Sequence, residues 1–165
     1  MGTGNNHNRR IFISYAREDT EAAIRLHKEL KNAGLEAWLD KVSLLGGQNW
    51  ENEIKKAIRN SRYFIPVFSS TSAKKRGFVQ KEFRFALEML KEIPEDEIFV
   101  IPVRLDDCII PFEKLREYHY VDLFPHWKYG IQKVLDAMGL KTDENTDEKL
   151  ISCWSVFPAS ISWHG

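Results

Sequence analysis

The chain has 165 residues, and its 24 basic and 24 acidic side chains cancel to a formal charge of zero. That length suits one domain with a sizeable core, and the balanced charge, with Lys74, Lys75 and Arg76 as the longest basic run, argues against nucleic acid as a partner. Cys108 and Cys153 have neither CxxC spacing nor a nearby His pair, so no metal and no disulfide framework is signalled and the expected setting is reducing and cytoplasmic; the start MGTGNNHNRR lacks an apolar h-region, and no window reaches the roughly 18 apolar residues of a membrane span.

Apolar, β-rich runs alternate with helical patterns from Arg10 to Leu140, which predicts an α/β domain on a parallel sheet. RIFISY at 10–15 is the first strand; Asp19 or Thr20 can cap the helix after it, whose Ala23, Leu26, Leu30 and Ala33 form one apolar stripe closed by Gly34. LEAWLD at 35–40 is the second strand, and Asn49 can cap the next helix, with Trp50, Ile54, Ala57 and Ile58 at helical spacing. Trp38 and Trp50 read as packing residues. RYFIPVF at 62–68 is the third strand, and it leads to a helix over 77–92 that stops before Pro94. IFVIPVRL at 98–105, a helical turn near 112–117, YHYVDL at 118–123 and a helix near 127–138 followed by Gly139 complete five units. Residues 1–8 are set aside as a flexible amino terminus and 9–140 form the domain. The remainder, 141–165, is a charged linker, KTDENTDEK, with an apolar tail open to three roles: a packed tail, a partner-binding peptide or a truncated second domain.

One residue of the 77–92 helix breaks its pattern. At about 100° per residue, Val79, Phe83, Ala86 and Leu90 form the core-facing line, and Phe78, Phe85 and Met89 widen the apolar arc. Glu82 falls inside that arc. Its neighbours three and four positions away are Phe78, Val79, Phe85 and Ala86, so no cation on the same helix can pair with it. It is either a functional carboxylate, a helix-edge side chain reaching solvent, or the ion-pair partner of a cation such as Arg104.

In an open parallel sheet, ligands bind outside the carboxyl ends of the strands. The loops there are SYAREDT at 14–20, KVSLLGGQN at 41–49 and SSTSAKKRG at 69–77, with Glu82 about one turn beyond the third. Three readings of these loops fail. The first lacks the GxGxxG of a dinucleotide fold, Phe68, Ser69 and Ser70 stand where a phosphorylation switch needs aspartate, and no GxSxG elbow exists. The five histidines show no pairing pattern and read as core or surface residues.

FISYAREDT, AWLDKVSLLGGQNW, the SxxSxxxRGFVQKEF pattern and IPVRLDDCIIP, in this order and spacing, resemble the Toll/interleukin-1 receptor (TIR) domain over about 9–140. The resemblance implies a flavodoxin-like α/β fold, with a five-stranded parallel sheet and helices on both faces. It also implies two activities. Many TIR domains, prokaryotic ones among them, are NAD+ nucleosidases: they cleave the nicotinamide–ribose bond of NAD to give nicotinamide with ADP-ribose or cyclic ADP-ribose isomers, in immune or stress signalling. Others are noncatalytic TIR–TIR scaffolds. NAD is then the substrate, no cofactor or metal is required, and self-association is expected. The family's catalytic glutamate has an aromatic-x-x-Lys-Glu context that Phe78, Lys81 and Glu82 match. Ala16 and Arg17 match positions near the nucleotide, although Arg17 is equally suited to pairing with Glu18 or Asp19. Leu45 and Gly47 fall in the loop that in the family closes on the nucleotide or a neighbouring subunit, or Gly47 serves simple turn geometry; some catalytic relatives carry an acidic residue where Leu45 stands, and leucine offers no polar contact there. Phe78 stands where relatives often have tryptophan, and serves either as a base-stacking ring or as a core aromatic.

Overall fold

The computed structural model describes residues 10–39, 50–74, 88, 89, 91 and 97–140. Leu45, Gly47, Phe78 and Glu82, the Asn49 cap, most of the 77–92 helix and both chain ends lie outside them. Five short strands, β1 (Arg10–Ser14), β2 (Glu36–Leu39), β3 (Tyr63–Phe68), β4 (Val103–Arg104) and β5 (Val121–Asp122), pair in parallel in the order β2-β1-β3-β4-β5. Helices α1 (Thr20–Asn32), α2 (Trp50–Arg59), α3 (Ser70–Ala73), α4 (Glu113–Arg116) and α5 (Trp127–Ala137) connect them, and a 3-10 turn (Arg17–Asp19) precedes α1. This is the flavodoxin-like strand order.

The central strands are buried on both faces, so their side chains divide by parity. Ile11, Ile13, Ile65 and Val67 point to one layer, where Ala23, Leu26 and Leu30 of α1 meet Ile131, Val134 and Leu135 of α5. Phe12, Phe64 and Phe68 point to the other, with Ile58 of α2 and Leu115 of α4. There Phe12 stacks on Phe64 with ring centres 5.7 Å apart and leans on Trp38 at 5.0 Å, the packing role expected of that tryptophan. Both faces of the sheet are covered by helices, as the sequence pattern required.

Three expectations need correction. The 98–105 strand shrinks to Val103–Arg104, with a single bridge upstream between Phe64 and Val100. Pro102 lies between these pairings and has no N–H to give the ladder. Ala33 leaves the apolar stripe: it is the exposed residue after α1, while Gly34 at φ +81° does end the helix. Asp19 precedes α1 but its side chain makes no capping bond. The 3-10 turn already holds it at φ −96°, ψ 12°, away from the extended geometry from which a cap side chain reaches the helix N–H groups.

Candidate active site

The chain leaves β1 toward β2 on one side and returns to β3 on the other, so the strand order reverses between β1 and β3. A crevice forms at such a reversal, beyond the carboxyl ends of both strands. Tyr15 and Ala16 leave β1 there, both buried. Ala16 is extended, and its carbonyl accepts the Asp19 N–H at 2.9 Å to close the 3-10 turn. Arg17 is exposed, and its carbonyl accepts Thr20 Oγ1 at 2.6 Å. Its guanidinium has no ion pair or hydrogen bond among the described residues, so the expected pairing with Glu18 or Asp19 is not made. Arg17 is thus a cation with no ion-pair partner among the described residues, beside a buried backbone segment.

Across the crevice, Ser69 and Ser72 begin α3 with a reciprocal cap: Ser69 Oγ accepts the Ser72 N–H at 3.1 Å, and Ser72 Oγ accepts the Ser69 N–H at 2.9 Å. The sequence reading had a loop here. The S-x-x-S spacing is the missed signal, a serine version of the capping box. Asp106, from the loop after β4, tightens the turn further: Ser70 donates to it from its N–H at 2.8 Å and its hydroxyl at 2.7 Å. The segment that leads toward Glu82 therefore starts from a fixed post. Nothing in the sequence at Asp106 announced this, because its partner is 36 residues away.

Arg104, offered by the sequence as a partner for Glu82, is committed elsewhere. Nε and Nη2 donate to Asp122 at 2.7 and 2.9 Å, and Nη1 donates to Asp107 at 3.2 Å and to the Cys108 carbonyl at 2.8 Å. Its guanidinium also lies 4.2 Å from the Tyr120 ring centre. The bonds to Asp122 hold its pKa above the ordinary arginine value. Burial, reinforced by Asp106, pushes the Cys108 thiol up to about 11, so it is no thiolate nucleophile near neutrality. Among the described residues no group of His, Cys, Asp or Glu could hold a metal ion, and no helix is long and apolar enough to cross a membrane.

A sequence model of the TIR domain matches residues 11–135. The chain belongs to the TIR domain family. Three curated relatives are similar to this TIR domain. Protein y4cD of Sinorhizobium fredii is 27% identical over 152 residues, 89% of this chain and 23% of that protein. The 2′ cyclic ADP-D-ribose synthase AbTIR of Acinetobacter baumannii is 36% identical over 66 residues, 39% of this chain and 24% of that one. The probable 2′ cyclic ADP-D-ribose synthase BdTIR of Brachypodium distachyon is 24% identical over 155 residues, 89% of this chain and 65% of that one. The chain thus spans less than two thirds of each of these relatives. Among solved structures, the TIR domain of the Toll-related receptor TRR-2 of Hydra magnipapillata matches with a TM-score of 0.57 at 23% identity, covering 76% of this chain and 97% of that one. A TIR-STING receptor from C. gigas matches with 0.66 at 19% identity, over 83% of this chain and 41% of that one. At these identities the likeness speaks for the fold.

Proposed function

We propose that this TIR domain cleaves NAD at the bond between nicotinamide and ribose, releasing nicotinamide with ADP-ribose or a cyclic isomer of it, with Glu82 as the central catalytic residue. The observation that carries the reading is the sequence around Glu82: it matches the Phe78-x-x-Lys81-Glu82 pattern, and the positions three and four residues away, Phe78, Val79, Phe85 and Ala86, hold no cation. Two relatives named as 2′ cyclic ADP-D-ribose synthases support it. Arg104, the cation named as an alternative partner, donates instead to Asp122, Asp107 and the Cys108 carbonyl, which is consistent with the reading.

In this reading the Glu82 carboxylate holds the ribose hydroxyls and stabilises the positive charge that grows on the sugar as nicotinamide leaves. Arg17, exposed in the loop after β1, meets a phosphate of the dinucleotide, beside the Ala16 backbone. Leu45, Gly47 and Phe78 are assigned to the nucleotide on family pattern alone. Assembly through TIR–TIR contacts, in the cytoplasm and in immune or stress signalling, belongs to the same proposal.

The second reading, a noncatalytic scaffold, is favoured by one feature. A groove of about 510 Å³ beside β5, lined by Ile98, Phe99, Tyr118 and Tyr120, leaves Ile98 50% exposed, an apolar patch that a second copy of the chain would cover. Nicotinamide release by wild type and Glu82→Gln, with a thermal melt of both, separates the readings. The expected outcome is a rate loss of about 10² to 10³ with an unchanged or slightly higher melting temperature. A variant that keeps most of the cleavage refutes the catalytic role, and one that melts several degrees lower shows Glu82 to be a structural ion-pair partner.

A further inference from the structure

The groove of about 510 Å³ lies at the amino-terminal ends of β4 and β5, the opposite end of the sheet from the candidate site. Ile98, Tyr118, Tyr120 and Val121 line it, with Lys133 and Ala137 of α5. β5 is the last strand in the order, so no described strand lies beyond it, and Ile98 and Tyr120 are left 50% and 43% exposed. Apolar surface clustered in this way favours an occupant that removes it from water. The helix that lines the groove also delivers the chain to it. After Ala137 the described chain runs only through Gly139, at φ +75°, to Leu140, which packs against the layer of α1 and α5. Everything beyond Leu140 therefore starts no more than about 11 Å from a residue of the groove.

We propose that segment 150–157 of this same chain, LISCWSVF, docks in the groove with Trp154 as its anchor. The segment holds no charged residue, and Leu150, Ile151, Trp154, Val156 and Phe157 supply the apolar side chains that such a groove takes, an aromatic one foremost. Length permits it. The nine residues between, KTDENTDEK, can span up to about 30 Å, well beyond the distance to the groove. Charge agrees with it. Four of those nine are acidic and two basic, while Lys133 at the groove makes no ion pair among the described residues and the one acid there, Glu97, is held 3.7 Å from Arg62. Tethering then decides between this occupant and a second copy: a segment on so short a linker is present at an effective concentration of roughly 1 mM, which a separate chain in dilute solution does not reach. The docking covers from within the patch that favours the scaffold reading, and it is independent of NAD cleavage and of Glu82.

A nitroxide attached to Cys153 of the full chain tests it. Cys108 is buried with a raised thiol pKa and stays unlabelled near neutrality, and in an extended segment Cys153 faces away from Trp154, so the label leaves the anchor free. In ¹⁵N-labelled protein the label is expected to broaden the amide signals of Ile98, Tyr118, Tyr120 and Val121, while those of β2, at the far edge of the sheet, keep their intensity. Trp154→Asp and Ile98→Asp each put a charge into the contact and should weaken docking at least about 100-fold, which restores the groove signals. Ile98 is half-exposed and Trp154 lies outside the domain, so neither change opens the core. Groove signals that the label never touches, or broadening that survives both substitutions, overturn the proposal. A mixture of spin-labelled ¹⁴N chains with unlabelled ¹⁵N chains reports contact between copies; it is expected to leave the groove signals sharp, and broadening there shows a second copy in the groove and overturns the proposal equally.

Discussion

Two polar clusters sit at the carboxyl edge of this sheet and are built to opposite ends. Around Arg104, a guanidinium with a 12% exposed side chain is matched by Asp122, Asp107 and the Cys108 carbonyl, and aromatic rings close over it. Around Asp19, its Oδ2 and the Trp127 indole N–H are buried with no hydrogen-bond partner among the described residues. Satisfied networks specify one geometry and resist change, whereas a buried polar group that lacks a protein partner contributes no such constraint. The first cluster is architecture, tying β4 to β5 and to the loop that holds Asp106. The second, on an otherwise ordinary helix layer, has no such network among the described residues.

The largest expected effect comes from opening the satisfied cluster. Arg104→Met keeps much of the aliphatic stem but strands Asp122 and the Cys108 carbonyl, and should cost about 3 kcal/mol in urea unfolding; a loss below about 1 kcal/mol would show the network to be ornamental. Next is the support beneath it. A Cβ on Gly130 of α5 would collide with the Asp122 carbonyl and come within 2.8 Å of the Leu123 Cα, neither of which is a flexible side-chain end. Gly130→Ala should therefore cost about 1–2 kcal/mol by the same measurement, since overpacking outweighs the helix propensity gained. At the other cluster, Asp19→Asn should leave stability within about 0.5 kcal/mol of wild type: no cap bond is lost, and the relief of an unpaired charge offsets the weaker attraction to the α1 dipole. A destabilisation as large as that of Arg104→Met would make the two clusters alike and end the contrast.

The smallest effect near neutrality concerns Cys108, whose carbonyl belongs to the satisfied cluster. Its thiol titrates at about 11 in the folded chain, against an ordinary 9.0. As pH rises past about 9 the unfolded chain releases this proton first, so the folded state holds more protons and stability falls between about 9 and 11, while below 9 the group contributes no slope. In a Cys153→Ser background, iodoacetamide at pH 8 should alkylate Cys108 at least about tenfold more slowly in folded than in urea-unfolded protein. Equal rates would place the thiol at the surface.

How far the sequence carried this reading depended on whether a feature was local. The α1 stripe was legible because Ala23, Leu26 and Leu30 follow the helical period, and all three are buried in one layer. The alternating strands were legible for the same reason, as Phe12 and Phe64 against Ile11, Ile13 and Ile65 show. Lone pairings across the fold were not. Asp106 meets Ser70 and Arg104 meets Asp122 only after β3, β4 and β5 have aligned, and no spacing rule encodes that alignment. Asp19 was misread for a subtler reason. Its residue type and position fit a helix cap, but the preceding 3-10 turn rotates the side chain out of that role. Of the candidate site, Ala16 and Arg17 fall in the loop after β1 that the sequence pattern marked, while their role and that of Glu82 rest on pattern.

The parity of the central strands also separates the two halves of the interior. Among the described residues no buried side chain belongs to both core layers: α1 and α5 pack on one and α2 and α4 on the other, with the strand backbone between them. Energetic disturbances that share no contacts add instead of multiplying. The sheet therefore acts as insulation, so that sequence drift in the layer of α1 and α5 leaves the opposite layer, where the aromatic rings of β1 and β3 stack, free to change on its own terms.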